Sequence, residues 1–356
     1  MNETTTRFGS RALALVAAAA LAILAAGATA QAASQVGTGG VAAHGTTLTV
    51  YSGRDERFVK PILDQFTRRT GIRLQVRYGD SAALAATLIE EGSRSPADVF
   101  IAQDAGALGA VAGRGRLAVL PQRTLQRVAP RFRAPGKRWV GVSGRARVVA
   151  YNTESLRAVE LPSSIWGYTH PRWKGKIGLP PTNASFQAFV SAMRMRVGND
   201  RTRDWLLALK ANDVKFFPNN SGVLQAIARR EVEVGFVNHY YLYQLKESTP
   251  SAPVGNHFLT GRDPGALINV AGAGVVSSSK RKAASVRLID FLLGKDAQRF
   301  FSRSPGRAEY PLAAGVRPRT GLPALSRIEG ARVNLGALGV RLPSTLQLLN
   351  EVGYTR

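Results

Sequence analysis

Strand patterns alternate with amphipathic helix patterns along this chain of 356 residues, and that alternation restricts the fold more than any other feature. The first unit begins with the strand pattern 48–51. The helix after it carries Phe58, Ile62 and Phe66 four positions apart and ends at Gly71. Parallel strands need a crossover connection, which is usually a helix. Units of this kind therefore predict an α/β fold with a doubly wound, mostly parallel sheet.

A longer strand pattern, from Trp139 to Asn152, separates two sets of such units. We predict that this strand leaves one lobe for a second, and that a strand at 267–276 returns to the first. Two α/β lobes joined by crossing strands predict a hinged clamshell that closes over a ligand. The predicted organisation is lobe 1 over 33–146, lobe 2 over 147–268, a return segment of lobe 1 over 269–320 and a closing C-terminal segment over 321–356.

The other elements are predicted from the same periodicities. Strands are expected at 72–78, 98–101, 177–179, 214–217 and 232–237. Helices are expected at 81–91, 185–197, 200–211 and 221–230, from near Lys280, from near Lys295, and at the end of the tail, which could close against either lobe.

Residues 1–32 have the pattern of a secretory signal peptide. Arg7 and Arg11 precede the uncharged run 12–27, and small-residue cleavage options lie between Ala30 and Ala32. The run is too short to predict a retained membrane anchor. The chain contains no cysteine, which excludes disulfides, thiolate metal sites, cysteine nucleophiles and a lipid on an N-terminal cysteine. We therefore expect a periplasmic protein without an anchor.

Lysine and arginine number 48 against 23 aspartates and glutamates, for a formal charge of +25. The basic residues are scattered, without one block of interleaved aromatic residues, so with export they predict no nucleic-acid partner. Most are expected on the solvated surface, and some are expected to draw anions toward a cleft.

Two adjacent tyrosines, Tyr240 and Tyr241, directly follow the apolar strand pattern 232–237. Ligands of open α/β sheets usually bind at strand ends, where loops converge on a crevice. A phenolate oxygen is a hard donor that suits ferric iron, and a bound cation stabilises the phenolate far below its ordinary pKa of about 10. The alternative is that the tyrosines are half-buried packing residues with a hydrated hydroxyl.

Seven segments strengthen the ligand hypothesis because of their similarity to one family. They are YSGR at 51–54, PADVF at 96–100, SGRARVV at 143–149, WKGKIG at 173–178, NHYY at 238–241, DPGAL at 263–267 and RAEYPL at 307–312. In order and spacing they resemble the periplasmic ferric-ion-binding proteins, or bacterial transferrins, which are the substrate-binding components of iron(III) ABC transporters. The resemblance runs from about residue 47 to the C-terminus. It implies a type II periplasmic-binding-protein clamshell, a monomer, that passes iron to an ABC permease at the inner membrane.

The resemblance also assigns a site. The tyrosine ligands of the family fall on Tyr240 and Tyr241, and a synergistic carbonate or phosphate completes the coordination of Fe(III). The anion-binding positions fall on Asn183, Ala184, Ser185, Asn220 and Asn238. A turn ahead of the helix near residue 186 offers backbone N–H groups at the positive end of that helix, and asparagine amides can donate to the same oxygens. Each asparagine could instead cap a helix.

The chain departs from the family pattern at other positions. The histidine and glutamate that many members add fall on Asp55 and Gln103, and Phe186 stands where carbonate-using members carry a third tyrosine. Asp55 is a candidate oxygen ligand or a helix N-cap. Gln103 is expected to form hydrogen bonds near the cleft.

Arginines near these positions are candidates for anion binding. Arg54 can clamp an oxyanion with two parallel bonds, and Arg145 and Arg307 are weaker cleft candidates. A structural salt bridge is the alternative for each of these arginines.

The predicted function is therefore capture of ferric iron with a synergistic oxyanion and delivery to the permease. The alternative is a clamshell receptor for a metal-free oxyanion such as a phosphonate. An enzyme is not predicted, since the chain has no Gly-x-Ser-x-Gly, no His-Glu-x-x-His and no cysteine. Its histidines lack metal-ligand spacing, and His239 is expected behind the tyrosines or at the surface.

Overall fold

A mixed sheet of ten strands forms the centre of the protein in the computed structural model, which describes residues 45–259, 262–328 and 333–355. The predicted signal peptide and the lead after it lie outside the described residues. No helix within those ranges is long and apolar enough to cross a membrane. The strands are β1 (Thr47–Ser52), β2 (Arg73–Tyr78), β3 (Val99–Ala102), β4 (Val140–Asn152), β5 (Ile177–Leu179), β6 (Lys215–Phe216), β7 (Val234–Asn238), β8 (Val254–His257), β9 (Ile268–Val275) and β10 (Tyr310–Pro311).

The strand order is β2-β1-β3-β9-β4-β7-β5-β6, and β8 and β10 both pair with β4. The outer strands on each side are parallel, as predicted: β1 pairs with β2 and β3, and β5 pairs with β6 and β7. The centre is antiparallel, because β4 leaves the first set of units and β9 returns to it in the opposite direction. The observed sheet is therefore mixed, with its parallel parts at the edges.

The long strand β4 changes partners between two consecutive residues. Ala146 is paired with Ile268 of β9, and Arg147 is paired with Asn238 of β7. We propose that the two lobes meet at this step, which is where the sequence places the boundary between them. The lobe ranges remain a prediction, because the contacts of the chain join 45–356 into one unit.

Eleven α-helices cover the sheet in the described part of the chain. Helix α1 ends at Thr70 where predicted, because Gly71 adopts the left-handed conformation, with φ of 72°, that closes a helix. The helices are α1 (Glu56–Thr70), α2 (Ser81–Glu91), α3 (Ala105–Gly113), α4 (Gln122–Leu125), α5 (Ala184–Val197), α6 (Asn199–Ala211), α7 (Asn220–Ala228), α8 (Tyr241–Ser248), α9 (Lys282–Leu292), α10 (Lys295–Arg303) and α11 (Leu338–Glu351).

The C-terminal helix α11 packs against both sets of units, on α3 and on α5. Its approach to α3 is so close that only glycine fits at the contact: Gly339 lies against the carbonyl group of Gly106, and Gly109 lies against the carbonyl group of Gly336 in the turn just before α11. At the other end, the hydroxyls of Ser191 and Thr345 are 2.8 Å apart and buried. The tail therefore contacts both sets of units, whereas the sequence predicted contact with one lobe or the other.

Substituting Gly109 tests this contact. A methyl group at Gly109 would overlap the carbonyl oxygen of Gly336, so Gly109→Ala is expected to destabilise the protein by about 1–3 kcal/mol. Gly113 lies on the same helix with no atom in the way, so Gly113→Ala is expected to be neutral or to stabilise by up to about 1 kcal/mol. Equilibrium unfolding in denaturant measures both, and equal stabilities would contradict the packing described.

Candidate functional site

Tyr240 follows the end of β7 as the N-cap residue of helix α8, and Tyr241 is the first residue of that helix. Their rings are stacked, with centroids 4.4 Å apart and an interplanar angle of 27°. Tyr240 is buried and Tyr241 is partly exposed. The two phenols therefore lie side by side at the carboxyl end of a strand, as the ligand hypothesis requires.

Two cavities meet at this tyrosine pair. The larger, of about 650 Å³, lies between α2, α3, α5 and α11 and is bordered by Gln103, Arg145, Asn183, Ala184, Ser185 and Asn238. The smaller, of about 630 Å³, is bordered by Arg54, Asp55, Gln103 and Arg307. Tyr240 and Tyr241 border both cavities. The structure thus brings together the predicted site residues. Asn220 does not border either cavity, but its Nδ2 donates a hydrogen bond to Asn183, which does.

Burial favours the protonated phenol of Tyr240 when no cation is bound. Burial raises its pKa well above the ordinary value of 10, and Arg145 acts in the opposite direction. Among the described residues, no group of three or more histidine, cysteine, aspartate or glutamate side chains is placed to hold a metal ion. A metal at this position would therefore depend on phenolate oxygens, which a strong cation can deprotonate.

The anion-binding positions form one hydrogen-bonded cluster at the start of α5. Asn183 is the N-cap, as one alternative predicted, and its Oδ1 accepts from the backbone N–H of Ser185 at 3.0 Å and from Ser185 Oγ at 2.6 Å. Asn220 Nδ2 donates to the same oxygen at 3.1 Å. Three donors therefore converge on one oxygen atom, an arrangement that also suits an oxyanion.

Arg145 is the arginine that best fits an anion. It is 2 % exposed, it borders the larger cavity, and its Nε and Nη2 have no hydrogen-bond partner in the part of the chain described. An unpaired buried cation is unfavourable, so a group of this kind favours an anionic partner.

Arg54 forms a structural salt bridge, as the alternative predicted, whereas Arg307 forms no salt bridge among the described residues and is held by backbone carbonyl oxygens. Arg54 Nη2 is 3.1 Å from Glu309 Oε2, its Nη1 donates to Ser143 Oγ at 3.3 Å, and the guanidinium packs on the ring of Phe58. Arg307 packs on the same ring and donates to the carbonyl oxygen of Phe58 at 2.9 Å. Arg307 Nε has no hydrogen-bond partner in the described part of the chain, but the remaining contacts hold both guanidinium groups, and their anion roles remain predictions with less support than that of Arg145.

Asp55 and Gln103 border the tyrosines from the other side. Asp55 occupies the N-cap position of α1 without any capping hydrogen bond from its side chain, which is 62 % exposed. Its carboxylate lies 3.8 Å from Arg57 Nε in an exposed ion pair, which is weak enough to leave an oxygen available as a ligand. Gln103 Nε2 donates to the Tyr240 hydroxyl at 3.5 Å, which is the hydrogen-bonding role that the sequence suggests.

His239 is fully buried, so the prediction that allowed a surface position for it is wrong. Its Nδ1 accepts from the backbone N–H of Ala146 at 3.1 Å, and its Nε2 lies 2.7 Å from the carbonyl oxygen of Ala308. The carbonyl can only accept, so the neutral ring carries its proton on Nε2. Burial lowers the pKa of His239 to about 4. The ring ties the end of β7 to β4 where that strand changes partners.

The free energy of unfolding of the iron-free protein is expected to decrease as the pH decreases, because of His239. The unfolded chain binds a proton near pH 6.5, whereas the native ring does so only near pH 4, so acid favours unfolding between these values. The slope is about 1.4 kcal/mol per pH unit at most. Unfolding free energies of the protein and of His239→Gln, compared from pH 4 to 7.5, measure it. Parallel curves would contradict the assignment.

Sequence reasoning missed Arg147, which is two residues from Arg145 and therefore on the same face of β4. Its Nη1 donates to Ser185 Oγ at 3.3 Å. The spacing of two was the available signal.

Fold and site define a solute-binding protein of the type II periplasmic-binding-protein class. The family model for bacterial extracellular solute-binding proteins matches residues 94–326, and the chain belongs to this family. It is 32 % identical over 308 residues to the Fe(3+)-binding periplasmic protein of Serratia marcescens, covering 86 % of this chain and 90 % of that protein. It is 33 % identical over 310 residues to the major ferric iron-binding protein of Neisseria gonorrhoeae, covering 86 % and 92 %.

Solved structures agree with this assignment. Iron-bound HitA from Pseudomonas aeruginosa superposes with a TM-score of 0.80 at 33 % identity, over 86 % of this chain and 99 % of that one. The Trichodesmium protein IdiA (FutA), in complex with iron and citrate ligands, superposes with a TM-score of 0.75 at 28 % identity, over 87 % and 100 %. The predicted resemblance to the ferric-ion-binding proteins and the predicted fold class are confirmed.

Proposed function

We propose that this protein captures ferric iron, with an oxyanion, at Tyr240 and Tyr241 and delivers it to an ABC permease of the inner membrane. The observation that carries the proposal is the stacked tyrosine pair at the end of β7, exposed to two cavities. Relatives named for ferric iron and the periplasm support the cargo and the compartment. The protein acts as a monomer and catalyses no reaction.

The charges around the tyrosines support an accompanying anion. Fe(III) replaces the phenol protons, and two phenolates leave one positive charge on the metal. Arg145 and Arg147 add two buried positive charges. In the described part of the chain neither forms an ion pair with a carboxylate, although the buried carboxyl of Asp104, which borders the larger cavity, interacts electrostatically with Arg145. Such a site favours the entry of further negative charge with the metal. Carbonate or phosphate would supply it and would bind at the start of α5, with Asp55 as a further candidate ligand.

Release follows from the position of the site. The tyrosines and the start of α5 belong to the proposed second lobe, whereas Gln103 and Asp55 belong to the first. Opening of the lobes would break the bonds made from one side. Loss of the anion would then expose the metal to water and to competing ligands.

A titration of the iron-free protein with a weakly chelated ferric salt tests this function. With bicarbonate or phosphate present, we expect a visible phenolate-to-iron charge-transfer colour that saturates at one iron per protein. A protein that stays colourless and binds a phosphonate tightly would show that the metal-free oxyanion is the ligand.

A further inference from the structure

Arg147 lies directly after the step at which β4 changes partners. In the proposed metal binding it contributes only its positive charge. It is 3 % exposed. Its Nη1 donates to Ser185 Oγ at 3.3 Å, and its Nη2 donates to the carbonyl oxygen of Phe236. Its Cζ lies 5.5 Å and 5.3 Å from the ring centroids of Phe186 and Phe189. These contacts fix the guanidinium behind the first turn of α5.

The charge of Arg147 has no acidic partner. Its Nε lacks a hydrogen-bond partner, and no carboxylate within the described ranges forms an ion pair with it. Burial lowers the pKa of Arg147 to about 9, and the oxygens of Tyr241 and Tyr240 oppose that shift. Buried charges are normally paired, so the fold maintains here a positive charge that an anionic ligand can balance.

The hydrogen bonds of Ser185 show how Arg147 acts on a ligand that it does not touch. Ser185 Oγ accepts from Arg147 Nη1 at 3.3 Å and from Asn220 Nδ2 at 3.2 Å, and it donates to Asn183 Oδ1 at 2.6 Å. A hydroxyl has two acceptor lone pairs and one proton. Since both lone pairs are used, the hydroxyl can offer an incoming group only its proton, which would turn from Asn183 Oδ1 to that group. An oxyanion oxygen is the group that accepts it.

We propose that Arg147 is a positioning residue of the oxyanion subsite, which fixes the Ser185 hydroxyl as a donor and places a positive charge behind it. The inference rests on the proposed function for the location of the subsite. It concerns the anion alone, so it applies to inorganic phosphate whether or not iron is bound.

Calorimetric titration of the iron-free protein with inorganic phosphate tests the inference. Arg147→Gln is expected to raise the Kd for phosphate by roughly 10- to 100-fold, because it removes both the charge and the bond to Ser185. Arg147→Lys keeps the charge and is expected to recover part of that loss. If Arg147 acts through Ser185, adding Ser185→Ala to Arg147→Gln costs less than the product of the two single effects.

Arg194→Gln is the matched control. Arg194 lies on helix α5, as Ser185 does, and donates hydrogen bonds to Asn199 and Thr345, away from the subsite. Its loss is therefore expected to change the Kd for phosphate by less than about twofold. Thermal unfolding without phosphate shows whether each variant folds. If Arg147→Gln does not fold, Arg147→Lys and Ser185→Ala decide the question.

Unchanged phosphate affinity in folded Arg147→Gln, or in both Arg147→Lys and Ser185→Ala, would overturn the inference, as would a wild-type protein that binds no phosphate. The iron colour of the wild type is measured separately. A colourless protein whose phosphate affinity depends on Arg147 would refute the metal function and retain the subsite. A coloured protein whose phosphate affinity does not depend on Arg147 would support the metal function and refute the role of Arg147 in the subsite.

Discussion

Replacing Tyr240 or Tyr241 by phenylalanine is expected to weaken ferric iron binding by more than roughly 100-fold and to remove most of the charge-transfer colour. Changes to groups that merely support metal ligands cost 10- to 100-fold in affinity, so loss of a ligand oxygen should cost more. The phenylalanine ring keeps the stacked packing of the pair, so folding should survive. Competition with a ferric chelator of known affinity measures the loss.

Tyr243→Phe is the control for this pair. Tyr243 lies on the same helix α8, half-buried, with Arg319 over its ring, and it borders neither cavity. Its hydroxyl should be irrelevant to iron, and the variant should give the full colour. A Tyr240→Phe or Tyr241→Phe variant with unchanged affinity would remove that tyrosine from the ligand set.

Replacing Glu309 by alanine is expected to destabilise the protein by about 3–5 kcal/mol, because it leaves a buried cation unpaired. Arg54 is 4 % exposed and Glu309 is fully buried, and Ser143 Oγ donates to Glu309 Oε2 at 2.7 Å. The pair joins the turn after β1 to β4 and to the residue before β10. Equilibrium unfolding in urea measures the loss.

Asp296→Ala is the control that shows whether the loss of stability depends on the burial of an ion pair or on its length. Its ion pair with Arg69 is shorter, at 2.6 Å, but both side chains are about half exposed, so the loss should stay below about 1 kcal/mol. Changing Arg54 and Glu309 together to leucine should recover much of the stability that Glu309→Ala loses. Similar losses in Glu309→Ala and Asp296→Ala would contradict the role given to the buried pair.

Most of the elements could be predicted because their periodicity is local. Helix α2 spans Ser81–Glu91 as predicted, and the long pattern from Trp139 became β4 within one residue. Helix α3 was missed because Ala105–Gly113 consists almost entirely of glycine and alanine, which show no apolar face and include poor helix formers. It forms because small residues let α11 approach closely, and that contact is not visible in a local pattern.

The site divides in the same way. The tyrosine pair could be predicted from adjacent residues at a strand end, and the anion positions from resemblance to a family. The partner of Arg54 could not, because Glu309 lies 255 positions away and only the folded chain brings them together. Arg147 was missed for a similar reason, since its role depends on Ser185, 38 positions along the chain.

Diffraction at the iron absorption edge from crystals of the iron-loaded protein tests the central claim most directly. We expect a single anomalous peak in the cleft, within bonding distance of both Tyr240 Oη and Tyr241 Oη, with an oxyanion at the start of α5 on its other side. An anomalous peak bonded to neither phenol, or an anion in the cleft of crystals that show no iron peak there, would contradict it.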